Sequence, residues 1–216
     1  MRRAEAVVFD LWDTLVPFGD GEWRQALEEL ARESGVDPDL YSEAWAADRL
    51  ARDSGELEDS VRRIYDKLGL TLEEEITAAI LKRRRSAFAA AFVPREGAVE
   101  ALERLRKRGL KTGLITNCSS EIPAMWDESP LAPLVDACVF SCREGTRKPD
   151  RRLYELAADQ LGVDPETCVY VGDGNDDELA GAAGVGMRPV LLRTQSKRDW
   201  EGEAIDRLPQ IVDLVT

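Results

Sequence analysis

Acidic, hydroxyl and basic side chains follow several short apolar segments of this 216-residue sequence. Asp10 and Asp173 end two of these segments, Thr116 ends another, and Lys148 lies in the loop after a fourth. Asp177 follows shortly after Asp173. Because ligands of parallel α/β sheets bind at the carboxyl ends of the strands, we expect these side chains to converge on one edge.

The types of these residues indicate chemistry on a charged group. Three carboxylates would repel one another unless a cation joined them, and ligation by oxygen alone suits Mg²⁺. A lysine and a hydroxyl that face the metal suit a phosphoryl group, whose charge must be neutralised during transfer. The pattern therefore predicts a magnesium site that handles phosphate.

Five β-branched or aromatic-rich runs predict the strands that position this site: residues 6–10, 111–116, 137–141, 168–173 and 188–193. Helical patterns follow four of them, at residues 96–107, 121–128, 151–161 and 176–183. Continuous apolar strands that alternate with helices are typical of a parallel sheet covered on both faces. We predict an α/β fold with a Rossmann-like core.

Residues 18–91 contain almost no strand pattern and predict helices throughout. Leu57, Val61, Ile64 and Leu68 mark one of several amphipathic helical faces there. Since a parallel crossover needs only one helix, so long an insertion after the first strand predicts a separate helical cap. The core then comprises residues 1–17 and 92–216.

The composition excludes several classes of function. The 42 Asp and Glu outnumber the 29 Lys and Arg, and a net charge of −13 gives no general attraction to nucleic acid or anionic membranes. The absence of histidine excludes Ser-His-Asp and Cys-His catalysis and zinc sites built on imidazole. No apolar run is long enough to cross a bilayer or to form a signal peptide, so we expect a cytoplasmic protein.

Four segments resemble, in order, the motifs of the haloacid dehalogenase-like superfamily of hydrolases. They read FDLWDTL at residues 9–15, LITN at 114–117, GTRKPD at 145–150 and VGDGNDD at 171–177. The resemblance covers essentially the whole chain, and the helical insertion corresponds to the cap that this family carries after its first motif. It implies that Asp10 is the nucleophile, that Thr116 holds a phosphoryl oxygen, and that Lys148 neutralises the nucleophile and the phosphate.

The resemblance also implies the remaining roles at the site. Asp10, Asp173, Asp177 and the Trp12 carbonyl would hold Mg²⁺. Thr14 in the first motif and Asn117 in the second would contact the substrate. A Mg²⁺-dependent phosphatase that acts on a small phosphorylated metabolite through an aspartyl-phosphate is the function that we predict.

Trp12 departs from the family pattern, because phosphatases of the family usually carry their acid/base Asp at that position. An indole cannot exchange a proton with a leaving group. Asp13 is displaced by one residue, and neighbouring side chains of an extended segment point to opposite faces, so Asp13 would need a local twist to take the role.

Two alternatives therefore stay open. The 2-haloacid dehalogenases of the family carry a tyrosine at the position of Trp12 and another that matches Tyr154, but they lack an acid corresponding to Asp173. The cap arginine with which they bind the substrate carboxylate would fall near residues 40–42, where the nearest arginine is Arg49. The other alternative is a nearly inactive protein that binds phosphate without turnover.

Overall fold

One parallel sheet of six strands forms the centre of the computed structural model, which describes residues 3–18, 21–194 and 199–215. The strands are β1 Ala6–Phe9, β2 Lys111–Thr116, β3 Ala137–Phe140, β4 Cys168–Gly172, β5 Arg188–Leu192 and β6 Glu203–Ile205. Their order is β3-β2-β1-β4-β5-β6, and all neighbouring pairs are parallel. The predicted α/β, Rossmann-like fold is confirmed.

The alternation of side chains along β1 divides the core into two layers. Val7 and Phe9 belong to one buried apolar cluster, whereas Ala6 and Val8 belong to another. Successive side chains of a strand point to opposite faces, so these two clusters cover the two faces of the sheet.

Six helices of the described chain belong to the part that contains the sheet, of which α6 directly precedes β2 and the others follow it. They are α6 Ala98–Lys107, α7 Ile122–Asp127, α8 Ser141–Glu144, α9 Arg151–Leu161, α10 Glu178–Gly184 and α11 Ile211–Leu214. Leu102 and Leu105 of α6 pack into the first cluster, and Leu153 and Ala157 of α9 pack into the second. Both faces of the sheet are therefore covered by helices.

Five helices lie between β1 and α6 in the described chain, and we call them the inserted helices. They are α1 Gly21–Glu33, α2 Pro38–Ala47, α3 Arg49–Arg52, α4 Leu57–Leu68 and α5 Glu74–Ala91. They share a third apolar cluster that includes Leu30, Trp45, Val61 and Ile64. The helices predicted for this segment are present in its described part, separated by short turns.

Two local differences from the predicted elements have clear physical causes. Strand β6 was not predicted, because its three residues, which include the charged Glu203, are too few to show an apolar strand pattern. Helix α10 begins at Glu178 rather than at Asp176, because Asp176 and Asp177 have left-handed φ angles of 54° and 53°. Within the described residues, no helix is both long and apolar enough to cross a membrane.

The cluster of the inserted helices gives a first testable prediction. We expect Leu30→Ala to lower the free energy of unfolding by about 2–5 kcal/mol, because Leu30 is 2% exposed and its removal leaves a cavity. The matched control is Leu50→Ala, since Leu50 is also helical but 61% exposed. Chemical denaturation measures both variants, and equal losses would contradict the packing described.

Candidate active site

The order of the strands brings the predicted site residues to one edge of the sheet. Asp10 directly follows β1, Thr116 ends β2, and Asp173 directly follows β4, while β1 lies between β2 and β4. The backbone N–H of Asp10 donates to the carbonyl of Val171 on β4 at 2.9 Å. The side chains of Asp10, Thr116 and Asp173 are all buried at this edge.

The ammonium group of Lys148 forms ion pairs with Asp10, at the end of β1, and with Glu178, at the start of α10. Its Nζ donates to Oδ1 of Asp10 and to Oε2 of Glu178, and it lies 3.1 Å from the hydroxyl of Tyr170. Burial by itself would lower the pKa of Lys148, but the carboxylates of Asp10 and Glu178 together raise it above its ordinary value. Lys148 is therefore a permanent cation in the centre of the site.

Glu178 is a buried carboxylate of this site that the sequence motifs did not indicate. It is 1% exposed, and its Oε1 accepts a hydrogen bond from the backbone of Gly174 at 3.0 Å while its Oε2 accepts one from Tyr170 at 2.7 Å. Asp177, which the motif pattern favoured, is exposed. The left-handed residues before α10 rotate the chain, so the side chain that faces inward is that of Glu178.

Oxygen atoms from Asp10, Asp173 and Glu178 lie within 4.8 Å of one another, and no other acidic or thiol cluster of this kind occurs in the described part of the chain. Burial, followed by the negative charge of Glu178, raises the pKa of Asp173 to about 6. Burial also raises the pKa of Asp10 above its ordinary value, against the opposing charge of Lys148. Three carboxylates face a single lysine here, and a set of carboxylate oxygens with a deficit of positive charge fits Mg²⁺.

Asn117 and Thr116 support the loop that carries Lys148. Oδ1 of Asn117 accepts from the backbone N–H of Lys148 at 2.8 Å, and its Nδ2 donates to Asp176 at 3.0 Å. The hydroxyl of Thr116 donates to the carbonyl of Asn117 at 3.4 Å. Thr14 is fully buried, and its hydroxyl has no partner within the described chain.

Asp13 has the local twist that an acid at this position would require. Its φ is 57°, and its Oδ1 accepts from the backbone N–H of Phe18 at 3.0 Å. The guanidinium of Arg95 donates to the Asp13 carbonyl at 2.6 Å and to the Thr14 carbonyl at 2.8 Å. The Asp13 carboxylate therefore stabilises the turn between residues 13 and 18. Asp13 also lines the cavity described in the next paragraph.

A cavity of about 510 Å³ lies between the inserted helices and this edge of the sheet. Trp12, Asp13 and Asn117 line its sheet side, and Trp23 and Phe88 are among the residues of the inserted helices that line the other side. The volume is within the range of about 300–1,000 Å³ that small-molecule sites occupy.

Polar contacts hold the inserted helices over this cavity. Arg49 and Arg147 both donate to Oδ2 of Asp176 at 2.6 Å, which connects α3 to the segment after β4. Arg84 of α5 pairs with Glu121 at 2.5 Å. The cavity is therefore covered by charged contacts rather than by apolar packing alone.

Gly172 permits the position of Glu178, which gives a second prediction. A β-carbon at Gly172 would overlap Oε1 of Glu178, whereas one at Gly184 would meet nothing within 4 Å. We expect Gly172→Ala to destabilise the protein by about 1–3 kcal/mol through overpacking. The melting temperature should fall by about 2–4 °C per kcal/mol, and Gly184→Ala serves as the matched control.

A double-mutant cycle isolates the cause of that destabilisation. In a Glu178→Ala background the overlapping carboxylate is absent, so adding Gly172→Ala should cost almost nothing further. Thermal unfolding of the four proteins measures the coupling. An unchanged cost in the Glu178→Ala background would show that the glycine is needed for some other reason.

Most of the chain matches known hydrolases. The family described as haloacid dehalogenase-like hydrolase matches residues 4–185. A Mycobacterium tuberculosis protein named as a phosphatase is 31% identical over 96% of this chain and 96% of its own length. A glyceraldehyde 3-phosphate phosphatase of Methanopyrus kandleri is 29% identical over 95% of this chain and 91% of its own length.

A solved structure shows the same fold. The crystal structure of a 2-haloacid dehalogenase from Pseudomonas syringae has a TM-score of 0.74 at 22% identity and covers 98% of both chains. The strand-end residues, the sheet order and these matches agree. The chain belongs to the haloacid dehalogenase-like hydrolases.

Proposed function

We propose that this hydrolase is a Mg²⁺-dependent phosphatase of a small phosphorylated organic molecule and that it works through an aspartyl-phosphate. The observation that carries the proposal is the buried group of Asp10, Asp173 and Glu178 beside Lys148. The names of the two relatives, a phosphatase and a glyceraldehyde 3-phosphate phosphatase, support the same class of reaction.

In this mechanism a carboxylate oxygen of Asp10 attacks phosphorus, and the bond to the leaving oxygen breaks as the aspartyl-phosphate forms. Lys148 neutralises charge on the nucleophile and on the phosphoryl oxygens, while Thr116 donates its hydroxyl to one of those oxygens. Water then hydrolyses the aspartyl-phosphate and releases phosphate. Asn117 contacts the substrate from the cavity wall. Thr14 stays a proposed substrate contact, since its buried hydroxyl has no partner within the described chain.

Asp10, Asp173 and the Trp12 carbonyl would hold the metal ion. We assign Glu178, and not the exposed Asp177, as the third carboxylate of that group. When bound, Mg²⁺ supplies positive charge for the phosphoryl oxygens. Lys148 keeps Asp10 in place for attack, because it is bonded to both Asp10 and Glu178.

Residues 18–91 would act as a cap on a core of residues 1–17 and 92–216. The cavity supports this division, since the inserted helices contribute most of its apolar wall and the loops after the strands contribute its polar side. A cap in this place excludes bulk water during the reaction and selects the substrate.

A 2-haloacid dehalogenase is the second candidate, favoured by the aromatic Trp12 in place of an acid. Tyr154, which matches a tyrosine of those enzymes, donates to the carbonyl of Glu178 at 2.9 Å and packs beneath the site. Arg49 lines the cavity, but its guanidinium is bonded to Asp176. The carboxylates at Asp173 and Glu178 favour phosphate chemistry over this alternative.

A substrate panel tests the proposed function. We expect phosphate release from phosphomonoesters with Mg²⁺, loss of that release with EDTA, and no halide release from 2-chloropropionate. Asp10→Asn is the control and should abolish turnover, because an amide is a poor nucleophile of similar size. Halide release that resists EDTA would replace the proposal with the dehalogenase. Absence of both activities, with Mg²⁺-dependent binding of phosphate analogues, would instead indicate a binding protein.

The indole at Trp12 predicts an unusual dependence on the leaving group. Without a positioned acid the leaving oxygen departs unprotonated, so alkyl phosphates should react about 10²–10⁴-fold more slowly than aryl phosphates. A series of phosphomonoesters with graded leaving-group pKa measures this slope. A shallow slope in the wild-type protein would mean that another group supplies the proton.

Asp13→Asn identifies that group. Because the Asp13 carboxylate already accepts from the backbone of Phe18, we expect the variant to keep the wild-type slope. A steeper slope in Asp13→Asn would assign the proton transfer to Asp13 in place of the missing acid.

A further inference from the structure

The cavity has an aromatic wall that the chemistry of phosphate transfer does not require. Trp12, Phe18, Trp23 and Phe88 all line it. The ring of Trp12 lies 5.5 Å from that of Phe18 and 5.6 Å from that of Phe88, in edge-to-face arrangements. Aromatic rings that pack edge to face restrict one another's side-chain motion, so they form a rigid apolar surface against which a flat apolar group can pack.

Arg52, the last residue of α3, also lines this cavity. Its Nη1 donates to the carbonyl of Trp45 at 2.8 Å, and its Cζ lies 5.6 Å from the centre of the Trp45 ring. These two contacts fix the guanidinium plane and use one of its five N–H donors. No other hydrogen bond of this guanidinium to the described residues is present, and Arg52 contributes to the cavity wall.

The guanidinium of Arg52 forms no direct ion pair with a described residue, and its strongest attractive electrostatic partner is the carboxylate of the adjacent Asp53. Among the described residues, none has a carboxylate oxygen within the 4.0 Å of an ion pair with Arg52. The acidic groups that act on Arg52 each pair with another arginine. These pairs are Asp48 with Arg63 at 2.8 Å, Asp53 with Arg49 at 3.5 Å, and Glu121 with Arg84 at 2.5 Å.

The surroundings of Arg52 disfavour its charge. Burial, together with the neighbouring guanidinium of Arg84, lowers the pKa of Arg52 to about 10, which still leaves it cationic at neutral pH. Arg84 is 4% exposed and is already bonded to Glu121 and Ser119. A partly buried cation without an anion is costly, and an anionic ligand group would remove that cost.

We propose that Arg52 binds a carboxylate of the substrate and that the aromatic wall holds a flat, apolar substrate body between this carboxylate and the phosphate. A single unpaired positive charge matches a carboxylate, which carries one negative charge, and the guanidinium fork can bind it through two parallel hydrogen bonds. The substrate class is thus a phosphomonoester of an apolar, flat carboxylic acid. This inference rests on the proposed phosphatase function.

Two esters with nearly the same leaving group test the inference. The probes are 4-(carboxymethyl)phenyl phosphate and its neutral amide, 4-(carbamoylmethyl)phenyl phosphate, in which a methylene separates the charge from the ring. We expect the wild-type protein to prefer the carboxylate by about 10-fold or more in kcat/KM, chiefly through KM. The net charge of −13 acts against the additional anion, so such a preference requires a local cation.

Arg52→Met removes the charge and keeps an apolar stem of similar length. We expect it to lose about 10- to 100-fold in kcat/KM on the carboxylate probe and less than about 3-fold on the amide, while Arg52→Lys should recover part of the preference. Arg62→Met is the control, because Arg62 is an exposed residue of α4 that pairs with Asp59. Equal losses on both probes, or no preference in the wild-type protein, would overturn the inference.

A binding measurement separates this inference from the proposed function. The unreactive probe is 4-(carboxymethyl)benzylphosphonate, compared with its amide, and binding is followed by tryptophan fluorescence because Trp12, Trp23 and Trp45 line the cavity. If no ester releases phosphate, the proposed function has failed and Arg52 is judged by affinity alone. Weaker binding of only the carboxylated probe by Arg52→Met supports the role of Arg52, whereas equal affinities contradict it.

Discussion

The buried ammonium group of Lys148, held between Asp10 and Glu178, is the interaction on which the rest of the site depends. It connects the loop after β3 to the end of β1 and to the start of α10. Removing one partner of such a buried pair typically costs about 3–5 kcal/mol, because the remaining charge is left without compensation. Gly172 and Tyr170 fit around this pair, since the glycine leaves room for Glu178 and the tyrosine hydroxyl bonds to its carboxylate.

The balance of charge around Lys148 explains how the site departs from the motif pattern that its sequence resembles. An acid is absent at Trp12, while Glu178 adds a buried carboxylate beside Lys148. Glu178 does not replace the missing proton donor, because Lys148, Tyr170 and Gly174 all donate to its oxygens. Its contribution is electrostatic, and it leaves a carboxylate group that a divalent cation would balance.

The sequence located the site residues that follow continuously buried strands. It did not locate those whose orientation depends on a left-handed backbone conformation. Apolar runs located β1 and β4, and hence Asp10 and Asp173, because buried parallel strands are apolar along their whole length. Glu178 could not be located in this way, since the left-handed Asp176 and Asp177 change which side chain faces inward. The sequence could not indicate Arg52 either, because its lack of an ion pair depends on which arginines pair with the acidic residues around it, and some of these pairs join residues distant in the chain.

Trp12 connects the chemistry of the site to the shape of its cavity. Trp12 stands where an acid would supply a proton beside Asp10, and its indole forms part of the aromatic wall. The indole contacts Phe18 and Phe88 of that wall and also Phe92. Under the proposed function, a leaving group that departs without protonation must be intrinsically acidic, as phenols are and alkyl alcohols are not. Phenols are also flat and apolar, so the loss of the acid and the gain of the aromatic wall favour the same kind of substrate.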